Sequence, residues 1–372
     1  WDRMRGEEFL TVKLYDTLRD HTPVALFPRE IDYTEWQTLR RYPILNWNMG
    51  MTYRLRERDE RVYPQGELAR RTIGQVGDKG NYGVEYVLRD VLEGRDGKAR
   101  RQRIARGFYG RVVGGDNSEP EDGLDVVTTL DLEMQDVADR ALRRQLEAQN
   151  ALWGTALVME VATGDLLAMA NLSRTKSGAY AEVKNHALSS RMEPGSTFKL
   201  AALLALVDDA GMSLDETFDT GNGARVKVGR TTVQDSHGLP PLNLKDAVAH
   251  SSNVFFARAV YETYKDDPER YVDYLRHLHL DRTVGLEEFG AVAPIFPAPG
   301  MKIWYPDVSI VNMGYGYAIE LTPLHTLTLY NAVANDGCMV APRLVREIRR
   351  GGEVVERPER RVLVDKICSS SA

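Results

Sequence analysis

The chain has 372 residues, of which 43% are apolar and 27% are charged, and this length is sufficient for two domains. Its 48 basic and 54 acidic side chains are mixed along the sequence and give a net charge of −6, which argues against a nucleic-acid-binding protein. The two cysteines fit neither a metal site nor a disulfide framework, and we expect no metal and no cofactor.

The first part of the chain, residues 1–122, is charged and rich in arginine, with glycines and short apolar alternations at 53–55 and 84–88. We interpret it as a mixed domain. Residues 114–123 (GGDNSEPEDG) consist of turn-forming and acidic residues, a composition that is typical of a linker. The predicted domains are therefore 1–122 and 123–372.

The second domain begins with a predicted strand at 126–129, after which Asp131 can cap a helix. Apolar residues at 134, 137, 138, 142 and 146 share one face of that helix. Two predicted strands, 155–161 and 165–170, flank a turn that contains Gly164, which indicates a β-hairpin.

Helices dominate the rest of the second domain. The apolar run 198–207, closed by Gly211, predicts a buried helix. Further helices are predicted around 244–264, 267–277 and 322–335. The fold class is therefore α+β, without internal repeats.

A candidate nucleophile lies in residues 193–199 (EPGSTFK), where a tight turn enters the buried helix. Ser196 and Lys199 are three residues apart and share a helical face. A serine hydroxyl needs a base, and a lysine serves as one only where an apolar environment favours its neutral amine. The apolar residues 200–204 provide that environment.

The Ser-x-x-Lys spacing is weak by itself, because about one chance match is expected in a chain of this length. Ser173 and Lys176 have the same spacing, but they follow the hairpin in a polar stretch without a buried helix. We therefore expect this second copy to be non-catalytic.

A second polar element, Ser251-Ser252-Asn253, separates two predicted helical segments. Ser251 can relay a proton between Lys199 and a leaving amine, and Asn253 can hold the lysine while its amide binds a substrate carbonyl. Ser252 is a further candidate for substrate binding. A purely structural role, in which the serines end one helix and cap the next, is the alternative for this element alone.

These two motifs, in this order, resemble those of the penicillin-recognising serine enzymes, whose third motif is Lys-Thr-Gly. Residues 61–64 (RVYP), 68–69, 72–74 and 83–86 are similar to the N-terminal pedestal of class B penicillin-binding proteins. Residues 125–131 resemble the start of their transpeptidase domain. Residues 314–317 (GYGY), 322–324 and 335–337 resemble members of the division type, which are FtsI-like.

The resemblance implies a penicillin-binding transpeptidase domain, with an antiparallel sheet flanked by helices as in serine β-lactamases, preceded by an extended mixed pedestal. It also implies a Lys-Thr-Gly strand beside the nucleophile, but no such triad follows Asn253. We therefore expect that this chain lacks the C-terminal part of the domain and that open sheet edges result.

The implied activity is peptidoglycan D,D-transpeptidation through a Ser196 acyl-enzyme, with Lys199, Ser251 and Asn253 as the other site residues and covalent inhibition by β-lactams. The implied partners are stem peptides, a membrane glycan polymerase and other division proteins, at the septum. A single inner-membrane anchor upstream of Trp1 would leave this region in the periplasm. The alternatives are a non-catalytic scaffold, a truncated inactive form and, less well supported, a β-lactamase.

Overall fold

The computed structural model describes residues 8–15, 23–25, 38, 41, 51–57, 62–77, 80–96, 101–105, 108–111, 118 and 121–370. The chain divides into two compact units, Trp1–Gly66 and Glu67–Ala372. In the first unit, an antiparallel sheet has the strand order β2-β1-β3 and is formed by β1 (Glu8–Tyr15), β2 (Pro23–Ala25) and β3 (Met51–Glu57). The apolar alternation at 53–55 lies within β3.

The second unit begins with three short helices and a hairpin: α1 (Arg70–Ile73), α2 (Gly83–Val87), α3 (Arg89–Leu92), β4 (Arg101–Ala105) and β5 (Phe108–Arg111). The alternation at 84–88 is mostly helical, because a five-residue apolar pattern does not distinguish a helix from a strand. The predicted boundary between 122 and 123 falls inside this unit, since the N–H of Leu124 donates to the carbonyl of Val91 at 2.9 Å. Most of the predicted linker lies outside the described residues.

The predicted strand, capped helix and hairpin are confirmed as β6 (Asp125–Thr128), α4 (Leu132–Gln149), β7 (Trp153–Met159) and β8 (Leu166–Arg174). Asp131 accepts a hydrogen bond from the N–H of Met134 at 2.9 Å. The buried face of α4 differs from the prediction, because Met134 and Val137 are exposed and Gln135 is buried. The side chain of Gln135 accepts the N–H of Met169 in β8 at 2.7 Å, so this polar residue ties the helix to the sheet.

Strand β8 is central in the sheet β7-β8-β9, whose last strand is β9 (Tyr180–Ala181). Helix α4 covers one face, where Gly154 allows the approach of Leu142 and Leu146. The short helix α5 (His186–Ser189) contributes Ala187 and Leu188 to the apolar cluster that contains Leu166 and Met169.

The predicted buried helix is confirmed, but it changes type along its length. A 3-10 turn (Gly195–Phe198) leads into α6 (Lys199–Leu204), and a π-helical stretch (Ala205–Asp209) follows. In the π stretch the hydroxyl of Tyr264 donates to the carbonyl of Ala205 at 2.8 Å. Residues of this helix and of the helices that follow form the main apolar core of the second unit.

The remaining predicted helices are confirmed, and Ser251 and Ser252 separate the first two as predicted, whereas the short helix at 309–313 was not predicted. They are α7 (Leu244–Ala249), α8 (Asn253–Tyr264), α9 (Pro268–His277), α10 (Ser309–Met313) and α11 (Pro323–Ala334). The remaining strands are β10 (Thr217–Phe218), β11 (Val226–Val228), β12 (Thr231–Val233), β13 (Leu242–Asn243), β14 (Met339–Val340), β15 (Val345–Arg350), β16 (Glu353–Glu356) and β17 (Val362–Val364).

These strands form pairs and one three-stranded sheet: β10-β13, β11-β12, β14-β17 and β16-β15-β6. Among the helices of the described residues, none is long and apolar enough to cross a membrane. The same residues contain no group of three or more His, Cys, Asp or Glu side chains arranged to hold a metal ion.

Candidate active site

The candidate nucleophile Ser196 lies in the 3-10 turn at the start of the buried helix, and its side chain is exposed. Gly195, at φ 55°, gives the chain its sharp entry into this turn. The N–H of Gly195 donates to the carbonyl of Gly316 at 2.9 Å. A loop more than a hundred residues further along the chain therefore holds the turn that presents the hydroxyl.

Lys199 lies one turn after Ser196 and is 6% exposed. Its Nζ is 3.1 Å from Ser196 Oγ, 2.5 Å from the carbonyl oxygen of Ser251, 3.0 Å from Ser251 Oγ and 2.7 Å from Asn253 Oδ1. An ammonium has three protons and no acceptor, so these four oxygens exceed what it can donate to at one time. The neutral amine instead has a lone pair that can accept the proton of Ser196.

Burial lowers the pKa of Lys199 to about 8, and the negative charge of Asp235 acts in the opposite direction. About one tenth of the lysine is therefore neutral at pH 7, far more than for an ordinary lysine with a pKa near 10.5. The sequence pattern predicted that an apolar environment would produce this effect. The ring of Phe256, whose centroid is 5.8 Å from Nζ, is part of that environment.

The second motif forms the turn between α7 and α8. Ser251 has φ 53°, a left-handed conformation that is unusual for a residue with a side chain. In this conformation both its carbonyl oxygen and its hydroxyl contact Lys199. The strained backbone thus gives the lysine two oxygens from one residue.

Ser252, which the sequence suggested for substrate binding, does not join this group. It is 1% exposed, and its hydroxyl accepts the N–H of Phe255 at 3.0 Å as the N-cap of α8. The same hydroxyl donates to Asp235 at 2.8 Å. Its side chain therefore stabilises the turn from inside the fold and is not open to a ligand.

The structure adds Asp235 to the candidate site, a residue that sequence reasoning missed. Its carboxylate is 6% exposed and accepts the N–H of Asn253 at 2.5 Å and the N–H of Val254 at 3.2 Å. It follows β12 and precedes Ser252 by 17 residues, and no local sequence pattern marks it as part of the site.

The second Ser-x-x-Lys copy is not assembled into a site. Ser173 Oγ is 2.7 Å from His186 Nε2, near the end of β8, while Lys176 is exposed in the following turn. No contact between Ser173 and Lys176 is present in the described part of the chain. This agrees with the expectation that the copy is non-catalytic.

An open groove lies beside the nucleophile turn. It has a volume of about 520 Å³ and is lined by Pro194 and Thr197 of the turn, by Thr155 and Leu157 of β7, and by residues of α11 and the chain before it. Within the described residues, β7 pairs with β8 alone. No strand pairs with its other edge in that part of the chain.

The model of the penicillin binding protein transpeptidase domain matches residues 154–370, which is more than half of the chain. The chain belongs to the penicillin-binding protein family. The matched region includes both motifs, so the resemblance inferred from them is confirmed. Penicillin-binding proteins named PenA and FtsI are among its relatives, and the chain is a class B, FtsI-like member.

Two relatives illustrate the extent of the similarity. Penicillin-binding protein PbpB of Mycobacterium tuberculosis is 30% identical over 305 residues, which cover 77% of this chain and 43% of the relative. The probable peptidoglycan D,D-transpeptidase PenA of Neisseria meningitidis is 27% identical over 292 residues, which cover 76% of this chain and 48% of the relative. The chain thus spans less than half of the length of each.

Solved structures of penicillin-binding proteins share the fold. Apo penicillin-binding protein 3 of M. tuberculosis has a TM-score of 0.69 at 27% identity, over 85% of this chain and 67% of that one. Penicillin-binding protein 2X of Streptococcus thermophilus has a TM-score of 0.75 at 18% identity, over 98% of this chain and 61% of that one. The α+β transpeptidase fold inferred from the sequence is therefore confirmed.

Proposed function

We propose that this chain is the acyl-transferring part of a peptidoglycan D,D-transpeptidase, with Ser196 as the nucleophile. The observation that carries the proposal is the contact of one buried lysine, whose pKa burial lowers to about 8, with Ser196, Ser251 and Asn253. Relatives named as probable peptidoglycan D,D-transpeptidases support the choice of reaction.

In the proposed acylation, Ser196 Oγ attacks the carbonyl carbon of the penultimate D-alanine of a stem peptide, and its proton passes to Lys199 Nζ. The bond to the terminal D-alanine then breaks. The departing nitrogen takes a proton from Ser251, which recovers one from Lys199. The products of this step are an ester on Ser196 and free D-alanine.

In the second half of the reaction, an amine of a neighbouring stem peptide attacks the ester. Its proton returns through Lys199 to Ser196 Oγ, and a new peptide cross-link forms. Asn253 holds Lys199 through Oδ1 and can direct its amide towards the substrate. In this scheme Ser252 acts only through the turn it caps.

The proposal extends to the context of the whole protein. A β-lactam would acylate Ser196 in place of the donor peptide, and the role would be septal wall synthesis with a membrane glycan polymerase and other division proteins. We also retain residues 1–122 as a pedestal, 123–372 as the transpeptidase domain, and an extracytoplasmic location with a membrane anchor. The relatives named PenA and FtsI support this context.

A second candidate is a non-catalytic scaffold in cell-wall synthesis. The specific observation in its favour is that no Lys-Thr-Gly triad follows Asn253 in the sequence.

A donor peptide that ends in D-alanyl-D-alanine tests the proposal. We would measure the release of D-alanine and the formation of an amide with an added amine, using the 372-residue chain and the complete product of its coding sequence. We expect Ser196→Ala to abolish both and Ser173→Ala, in the unassembled copy of the motif, to retain both. Release that survives Ser196→Ala would refute the proposal.

Two other outcomes identify the alternatives. A folded wild-type protein that releases no D-alanine in either form would favour the scaffold. Rapid turnover of a chromogenic cephalosporin without any amide product would identify a β-lactamase.

A further inference from the structure

Asp235 is a buried carboxylate behind the Ser251–Asn253 turn. It accepts three hydrogen bonds, from the hydroxyl of Ser252 and from the N–H groups of Asn253 and Val254. All three donors lie at the start of α8, so the carboxylate binds the helix end that carries the second motif. Moving Asp235 would move Ser251 and Asn253 relative to Lys199.

Among the described residues, no lysine, arginine or histidine forms an ion pair with the Asp235 carboxylate, although a buried charge is costly without compensation. The N-terminus of α8 supplies partial positive charge, and the remaining interaction is with the ammonium of Lys199. Asp235 therefore favours the cationic form of the lysine.

Other charged groups near the site act elsewhere. Glu193, just before the nucleophile turn, accepts the N–H of Ala318 at 3.0 Å. The pKa of Tyr315 is raised by burial first, then by Tyr317 and by the negative charge of Glu193. The groups that contact Lys199 directly, on Ser196, Ser251 and Asn253, are uncharged. Within the described part of the chain, Asp235 is therefore the acid that acts on the lysine.

A helix cap alone does not require a buried charge, because serine and asparagine cap equally well. Asp267 gives a direct comparison, since it caps α9 by accepting the N–H of Arg270 at 3.3 Å and has no interaction with Lys199. The two aspartates differ in two respects: Asp235 is buried and acts on Lys199, whereas Asp267 is exposed and does not.

We propose that Asp235 is a positioning residue that holds the Ser251–Asn253 turn and whose negative charge stabilises the ammonium that forms when Lys199 takes the proton of Ser196. This inference rests on the proposed function, because it assumes that Lys199 is the base.

The test is the pH dependence of acylation by a fluorescent penicillin, measured from pH 5.5 to 10 on the complete product of the coding sequence. Three variants are compared with the wild type. Asp235→Asn removes the charge but keeps an acceptor for both N–H groups. Asp235→Glu keeps the charge but alters the geometry. Asp267→Asn is the control for loss of a capping carboxylate.

We expect Asp235→Asn to lower the midpoint of the acid limb by about one pH unit, because an opposite charge is lost. Its plateau rate should fall about tenfold or more. Asp235→Glu should reduce the plateau while leaving the midpoint at the wild-type value, and Asp267→Asn should change neither. The midpoint thus reports the charge alone, whereas the plateau reports both the charge and the position of the turn.

An unchanged midpoint in Asp235→Asn would overturn the electrostatic role and leave a merely structural cap. If Asp235→Asn does not fold, Asp235→Glu still decides, since a midpoint that falls despite the retained charge would also overturn the inference. Failure of the proposed function looks different, because the wild type itself would then lack a penicillin adduct that depends on Ser196.

Discussion

Gly316 lies so close to Gly195 that a Cβ atom on Gly316 would come within 1.9 Å of the carbonyl oxygen of Gly195. Gly316 also has φ 87°, a conformation that favours glycine. Together with the hydrogen bond from the Gly195 N–H, this contact fixes the turn that carries Ser196. A loop remote in sequence thus sets the position of the nucleophile.

We predict that Gly316→Ala reduces the rate of acylation by a penicillin about 100-fold, because a displacement of the nucleophile by about 1 Å is sufficient for such a loss. Gly300→Ala is the matched control, since Gly300 has φ 85° but open space around its Cβ position. It should cost about 1 kcal/mol of stability and leave acylation unchanged. Equal rates in the two variants would show that the contact with Gly195 does not position Ser196.

The lowered pKa of Lys199, about 8, predicts the pH dependence of acylation. The reactive form is the neutral amine, which is lost as pH falls through the pKa. The rate should therefore rise about tenfold per pH unit below 8 and level off above it. A flat profile between pH 6 and 9 would exclude Lys199 as the base. Lys199→Arg should abolish acylation over this range, whereas Lys176→Arg should not affect it.

Ser251 permits its hydroxyl to be tested separately from its backbone. Ser251→Ala and Ser251→Gly both remove the hydroxyl and keep the carbonyl contact with Lys199. If the hydroxyl relays the proton, both variants should lose about 100-fold or more in D-alanine release. Ser251→Gly should in addition be about 1 kcal/mol more stable than Ser251→Ala, because Ser251 has φ 53°. Full activity in either variant would exclude the relay.

Glu182 connects α1 to the transpeptidase sheet by accepting the N–H of Arg71 at 2.7 Å. Burial raises the pKa of Glu182 to about 7 from an ordinary value of 4.5. The folded protein holds the proton of Glu182 more tightly than the unfolded chain does. The stability that this proton contributes is therefore complete below pH 4.5 and is lost as pH rises through 7. By pH 8 the loss amounts to about 3 kcal/mol at most.

Glu182→Gln should therefore be more stable than the wild type at pH 8 by a larger margin than at pH 5, as measured by urea unfolding. The exposed Glu353→Gln serves as the control and should show the same small difference at both pH values. A Glu182→Gln effect that is independent of pH would contradict a protonated Glu182 in the folded state.

Local signals in the sequence were sufficient for most of the fold and for the four polar residues at the centre of the site. The spacing of Ser196 and Lys199, the cap at Asp131 and the hairpin at Gly164 all depend on neighbours within a few residues. Such features follow from short-range geometry, which a sequence displays directly. The motifs of the family then linked Ser251 and Asn253 to the motif that contains Ser196 and Lys199.

The features that sequence reasoning missed depend on contacts between distant segments. Asp235 meets α8 only after the β11-β12 hairpin folds back, and Gly316 meets Gly195 across more than a hundred residues. The exposure of Met134 and burial of Gln135 likewise follow from what packs on α4. Ser252 was a candidate for substrate binding, whereas its hydroxyl is buried and caps the start of α8.

The central claim is that Ser196 is the nucleophile. The most direct test is intact-mass spectrometry after incubation with a penicillin, followed by peptide mapping of the adduct, on the 372-residue chain and on the complete product of its coding sequence. We expect one penicillin per chain in the complete product, located on Ser196 and absent from Ser196→Ala. An adduct on Ser173 or Ser251, or none on a folded complete product, would contradict it.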